Sequence, residues 1–284
     1  MNIVALGHCA CKIADKFSQY PQYTIYKLDV GLIEKTKHDK TIRQQSTPEE
    51  FEAKSPPLKA FFKNIKEEDV LFICAGGSAI SGMILRTLEH LKNSKITILY
   101  IRPDLNLLDK KMILQERMTH GILQEYARSG VFDRIYLVDN VSLEQIIGDI
   151  PIIQYYDKLN ELIATTVHMI NVYKHIDPII ENKIDVPIIT RIATFGIFDF
   201  NTNINKLFYP LEYATNHTFY YAFNKKELEN DGKLLQTIKK QIKEKGEESK
   251  VSFGVYSTDY KENFIYCESA THFVQGLKFE QSAS

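Results

Sequence analysis

The sequence predicts an α/β fold: a mostly parallel sheet, a long central helix and a smaller α+β second part. Three observations predict it. Short apolar runs alternate with helical patterns through the first half of the chain. Small-residue segments sit between those strand and helix patterns. One long helical stripe, residues 155–176, then separates this half from a second one with its own strands and a charged amphipathic helix. Such alternation implies crossover units and parallel strands, whose carboxyl ends lead into ligand-binding loops.

Residues 3–6 read as a strand, 12–20 as a helix and 23–30 as a second strand. Residues 32–57 are polar and read as a surface excursion, with helical spacing over 48–65. A short buried strand is expected at 70–74, a helix at 82–91 and a strand at 96–101. Residues 109–127 read as a helix with apolar positions at Met112 and Ile113, followed by a strand at 135–138 and a short helix at 143–147. Along 155–176, Leu159, Leu162, Ile163, Val167 and Ile170 keep the three-and-four spacing of a buried stripe. Beyond it, 219–223 reads as a strand and 226–245 as a helix with Leu228, Leu235, Ile238 and Ile242 along one side. Strands at 251–256 and 264–267 are joined by a polar turn. The expected organisation is a first domain over 1–150, a connecting helix over 151–182, a smaller α+β domain over 183–278 and a tail over 279–284.

Composition narrows the function classes. With 35 basic and 36 acidic residues the chain has no cationic excess to favour nucleic acid. Its apolar runs fall short of the ~20 residues a membrane helix needs. The opening Met1 to Gly7 carries no basic leader, so the expectation is a cytoplasmic chain without a signal peptide. Cys9, Cys11, Cys74 and Cys267 read as reduced, partly buried thiols, because the one-residue gap between the first two suits zinc poorly.

The strongest local signal runs from Ala75 to Gly82, Ala-Gly-Gly-Ser-Ala-Ile-Ser-Gly, between a buried strand and a helix. Small residues let backbone N–H groups approach an anion, and a helix start adds partial positive charge. The segment lacks the Gly-Lys-Ser/Thr ending of a P-loop and the glycine spacing of a dinucleotide fingerprint. A tight turn needing small residues explains it equally well. The loop Gly7-His8-Cys9-Ala10-Cys11-Lys12 also joins strand to helix and can present a second set of donors; His8 alone reads first as a structural hydrogen-bonding group.

Four segments in order resemble the tubulin/FtsZ superfamily. Residues 7–17 resemble the tubulin opening Gly-Gln-Cys-Gly-Asn-Gln-Ile-Gly-Ala-Lys-Phe. Residues 76–83 resemble its glycine-rich signature followed by Met, with the middle Gly-Thr-Gly replaced by Ser78-Ala79-Ile80. Residues 135–144 resemble the strand and loop Tyr-Val-Ile-Asp-Asn-Glu-Ala-Leu, and 156–163 resemble Tyr-Thr-Asn-Leu-Asn-Arg-Leu-Ile at the start of the family's central helix. The match covers roughly residues 1–190. The resemblance implies a Rossmann-like GTPase domain binding GTP or GDP, with Mg2+ alongside and no metal-ligand set of the protein's own. It implies that Gly76, Gly77, Ser78, Ser81 and Gly82 hold phosphates, with Gly7, His8 and Cys9 close by. Asn140 and Asn160 would bond the guanine edge, and Tyr156 would stack on the base. The structural alternatives are a turn residue for Asn140, a polar first-turn residue for Asn160 and a core-edge aromatic for Tyr156.

The resemblance also implies a homopolymer built head to tail, of the kind phages and plasmids encode, with hydrolysis completed by acids from the next subunit. Asp185 stands at the first acid of that loop. Lys183 replaces its Asn, and Ile188 stands where the second acid belongs. An isoleucine cannot orient water, so hydrolysis is expected to be slow. A non-hydrolysing nucleotide-dependent structural or regulatory protein is the alternative. An unrelated Rossmann-like enzyme is a third reading, against which the first strand lacks a G-x-G-x-x-G turn.

Overall fold

Strand β1 (Asn2–Leu6) lies inside a sheet whose partners arrive in chain order through right-sized crossovers. The computed structural model of the chain describes residues 1–65 and 68–276. After β1 come α1 (His8–Lys16), β2 (Thr24–Asp29), β3 (Asp39–Thr41), α2 (Pro48–Ala53) and β4 (Asp69–Ala75). They are followed by α3 (Ile84–Glu89), β5 (Lys95–Arg102), α4 (Lys110–Arg128), β6 (Arg134–Asp139), α5 (Asn140–Ile147) and the central helix α6 (Tyr155–Tyr173). The second half holds β7 (Ile180–Asn182), β8 (Ile192–Asp199), β9 (Ile204–Leu207), β10 (Asn216–Asn224), α7 (Lys225–Asn230), α8 (Leu234–Lys245), β11 (Lys250–Thr258) and β12 (Phe264–Thr271).

All the strands join one sheet in the order β3-β2-β1-β4-β5-β6-β8-β12-β10-β11-β7, with β9 added on β8. The first half, β1 to β6, is parallel throughout. The halves meet where β6 pairs with β8 at Ile135–Ile192 and Tyr136–Ala193. β12 runs antiparallel to both β8 and β10, while β10 and β11 pair in parallel.

Both faces of the parallel half are covered, which is why its strands read as continuous apolar runs. Ile3, Ala5, Leu71, Ile73, Leu99 and Ile101 face α1 and α6. Their neighbours Val4, Leu6, Phe72, Cys74, Ile98 and Tyr100 face the opposite layer with α2, α3 and α4. α6 buries Leu159, Ile163, Val167 and Ile170 on the first face, where they share a core with Tyr220, Tyr256 and Tyr266 of the second half. The far face of that second half packs Phe198, Phe219, Tyr221 and Phe223 against Leu234 and Ile238 of α8.

The architecture is the α/β fold expected, with differences that have local causes. The helix expected over 48–65 stops at Ala53, because Pro56 and Pro57 restrict the backbone before them. The one expected over 82–91 starts as a 3-10 turn at Ala79–Met83 and becomes α only from Ile84. The helix expected over 226–245 divides into α7 and α8 at Asp231–Gly232, where Asp231 turns extended. The central helix ends at Tyr173, and β7 occupies the close of the stretch expected to be helical. β3, β7, β8 and β9 were not expected. The expected tail lies outside the described residues.

Candidate functional site

Register brings the strand ends of the parallel half level. Leu6 pairs with Leu28 and with Cys74, Cys74 with Tyr100, and Ile101 with Val138. The chain therefore leaves β1, β2, β4, β5 and β6 along one edge of the sheet, and a cavity of ≈ 1000 Å³ opens there. Its walls include Gly7, His8, Cys9, Gly76, Ser78, Asn140, Tyr156 and Asn160, from four segments far apart in sequence. The volume lies at the upper end of the range for small-ligand sites.

Each group is placed by the element that carries it. Gly7 precedes α1, so His8 and Cys9 occupy its first turn. Asn140 opens α5 directly after β6, and Tyr156 and Asn160 sit one turn apart at the start of α6. Asn140 and Asn160 are both 8% exposed, and neither side-chain amide makes a hydrogen bond among the described residues. Buried amides are normally paired. Tyr156, by contrast, is 59% exposed and offers its ring face.

Gly77, Ser81 and Gly82 do not line the wall; they shape it. Gly77 has φ +85°, a conformation that favours glycine, and a Cβ there would approach the lining residue Leu108. Ser81 Oγ donates to the carbonyl of Ser78 at 2.7 Å and accepts from Gln115 Nε2 at 3.0 Å. A Cβ on Gly82 would fall 2.0 Å from the Pro48 carbonyl oxygen, so this glycine lets α2 seat against the turn. Ser78 itself is ordinary extended backbone, so its replacement of glycine introduces no strain.

Sequence reasoning missed Lys12, Lys16 and Asp29, which also line the cavity. His8, Lys12 and Lys16 recur every four residues and so share one face of α1, a signal available from the helix start. Asp29 closes β2, whose carboxyl end follows the same rule as its neighbours. His8 Nδ1 lies 3.5 Å from Asp29 Oδ2. Lys16 Nζ bonds Asp157 Oδ1 at 2.5 Å, tying α1 to α6 at the mouth; that bond holds the Asp157 carboxyl below the usual range. Lys12 makes no ion pair among the described residues, leaving its ammonium available to an anion. Burial pushes the Cys9 thiol up to about 11, so it stays protonated and inert at neutral pH.

Comparison with solved structures matches this architecture over nearly the whole chain. An empty FtsZ dimer (M. jannaschii) superposes with TM-score 0.71 at 11% identity, covering 95% of this chain and 87% of that one. TubZ of Bacillus thuringiensis serovar israelensis, in a GTPγS-form protofilament, gives 0.72 at 15% identity, with 95% and 86% covered. The chain has the tubulin/FtsZ fold. CetZ from Methanosaeta thermophila gives 0.66 at 14% identity, with 96% and 86% covered. No protein-family model and no curated protein sequence matches the chain.

Within this tubulin/FtsZ fold, Asp185 stands away from the cavity. It is exposed in the loop between β7 and β8, and β8 opens with Ile192 opposite Ile135, near the amino end of β6. The cavity lies at the carboxyl ends of the same strands. Asp185 is therefore at the opposite edge of the molecule from Asn140 and Tyr156. Lys183 beside it is exposed, and Ile188 is 78% exposed. No helix among the described residues is long and apolar enough to cross a membrane.

Proposed function

We propose that this chain binds a guanine nucleotide in the cavity and assembles head to tail into filaments. The observation that carries the nucleotide reading is the pair of buried, unpartnered amides of Asn140 and Asn160 beside the exposed Tyr156 ring. An amide offers a donor and an acceptor, matching the guanine edge, and an exposed phenol ring stacks on a purine. Gly76, Ser78 and the start of α1 then face the phosphates, with Lys12 and Lys16 supplying positive charge. Mg2+ fits this arrangement. Asp29 Oδ1 accepts from the Val30 N–H at 2.8 Å, and Oδ2, which lies 3.5 Å from His8 Nδ1, is the oxygen that would hold the ion. Magnesium is commonly held by one or two carboxylates together with substrate phosphates. When bound, it would offset phosphate charge.

The head-to-tail reading rests on the position of Asp185. Placed at the far edge, it can approach only a neighbour's nucleotide, and such stacking repeats without closing. Apolar residues are exposed at both edges: Ile152 and Ile153, 93% and 98% exposed, precede α6 near the cavity, and Ile188 and Ile189 follow Asp185 in its loop. In the assembled state Asp185 would accept a proton from, or orient, the attacking water, while Ile188 could do neither. Turnover is then slow, since positioning is the protein's main contribution to phosphoryl transfer. The similar structures include a two-stranded TubZ filament and a plasmid-segregation TubZ, so a phage- or plasmid-type cytoskeletal role is the biological setting we propose.

Sedimentation with GTP, together with phosphate release, tests both parts. Nucleotide-dependent pelleting is expected, with slow release that falls at least tenfold in Asp185→Ala. Pelleting without any release would favour the non-hydrolysing reading, which the exposed Ile188 supports. No pelleting with GTP or GDP would reject the filament.

A further inference from the structure

Helix α4 carries polar groups on its inner face and an apolar row on its outer one. Beside Leu123 and Ala127, which pack into the core, its buried face carries Glu116, Thr119, His120 and Gln124, of which Glu116 and Gln124 are wholly inaccessible. Glu116 Oε2 has no hydrogen-bond partner among the described residues, and the other groups are matched. Tyr100 Oη donates to Glu116 Oε1 at 3.2 Å, with Arg102 Nε 3.4 Å from the same oxygen. Gln124 exchanges two backbone bonds with Gln275. Its outward face carries Leu114, Met118, Ile122 and Tyr126, spaced four apart and between 40% and 60% exposed, with Val131 at 61% just beyond. An amphipathic helix on a covered sheet normally points its apolar row inward. A row that long, exposed and contiguous is a contact surface.

We infer that this row is the lateral contact between neighbouring filaments of this chain, an inference that rests on the head-to-tail reading. Two features of the molecule select a second copy as the occupant. The first is direction. α4 leaves the cavity edge, where Met112 lines the wall, and ends beside Arg191 at the Asp185 edge. Its nineteen residues span about 28 Å along the proposed filament axis. Stacked subunits would bring successive rows end to end into one apolar seam. The second is area. Five partly exposed side chains offer on the order of a few hundred Å², well under what a stable free dimer needs. Repeated along two facing seams, such a contact becomes strong by multivalency, while an isolated subunit gains little. A seam of this kind holds strands together only once they are long.

Electron microscopy of filaments grown with GTP, with sedimentation of nucleotide-free protein, tests it. Wild type is expected to be monomeric without nucleotide and multi-stranded with it. The double variant Met118→Lys, Ile122→Lys should give single strands of unchanged subunit repeat and a several-fold higher critical concentration. The neutral pair Met118→Gln, Ile122→Gln separates loss of apolar contact from charge repulsion, and should also favour single strands. Circular dichroism checks that both variants fold. Wild-type filaments that are single-stranded, or bundles that survive both double variants, overturn the lateral contact while leaving head-to-tail assembly intact. A nucleotide-free dimer abolished by the same changes overturns it too, because the row would then suffice alone. Absence of any wild-type polymer with GTP removes the filament reading and this one with it.

Discussion

At the scale of single residues, the cavity is legible where chemistry is local and opaque where it depends on register. Asn140, Tyr156 and Asn160 are singled out by the resemblance of their segments to the tubulin/FtsZ pattern; residue type alone leaves each with a structural alternative. Asn160→Ala should raise the dissociation constant for GTP about tenfold or more, the loss of one well-placed hydrogen bond at ~1.5 kcal/mol, with no change in urea midpoint. Fluorescent-nucleotide titration measures it. Gly82 carries a different consequence. Its hydrogen faces the Pro48 carbonyl, so Gly82→Ala should cost about 1–3 kcal/mol of stability by overpacking, read from urea unfolding, even though the residue lies off the wall. Sequence alone groups Gly82 with Gly76 as one phosphate-facing run; the close approach of α2 that separates their roles is a tertiary fact. Lys12 and Asp29 were visible in principle, one by helical spacing and one by strand order.

At the scale of elements, α6 was readable from its stripe, because Leu159, Ile163, Val167 and Ile170 all turn inward. Ile163 is inaccessible and touches a core shared by both halves of the sheet, so Ile163→Ala should cost about 2–5 kcal/mol. Calorimetry should show that loss as a lower Tm for the whole chain. β8 was not readable. Its run Ile192–Asp199 includes Thr194 and Gly196, yet it is central: Thr194 Oγ1 bonds the Leu137 carbonyl at 2.7 Å, and a Cβ on Gly196 would strike the Lys206 carbonyl of β9. Those residues suit a crowded interior strand whose neighbours the sequence does not name. α4 misleads for the opposite reason, since its apolar periodicity is real but points outward.

At the scale of the whole molecule, the two halves of the sheet are joined by a charge cluster around the buried Glu268. Glu268 of β12 accepts hydrogen bonds from Tyr136 of β6, from Tyr220 of β10 at 2.5 Å and from Lys174 after α6 at 2.8 Å. Burial pushes its carboxyl up, but the Lys174 and Arg134 charges and the bonds from Lys174 and Tyr136 outweigh it and hold it down to about 2. Burial holds His120 down to about 3, helped by Arg102, and His217 down to about 4, helped by Lys245. The unfolded chain binds protons on the histidines below about 6.5, where the folded chain does not, so stability falls as pH drops from there toward 4. Glu268 adds a further loss between its ordinary 4.5 and about 2. Urea midpoints should therefore decline steadily from pH 7 to pH 4, with no comparable loss on the alkaline side of 7 from these groups. Glu268→Gln, which leaves the part-exposed Lys174 and Arg134 facing no carboxylate, should cost about 1–3 kcal/mol at pH 7.

The margins of the sheet limit what kind of polymer the proposed assembly could form. β3 and β7 have three residues each, with Asp39 and Lys40 on one and Glu181 on the other. Long, flat, apolar borders would invite strand-by-strand recruitment of any passing copy, the route to amyloid. Here the borders end almost as soon as they begin and bear charge, so a newcomer has no register to adopt. In the proposed assembly growth is left to the ends and flanks of the folded subunit, and such a fibre should bind no thioflavin and dissolve back to native protein.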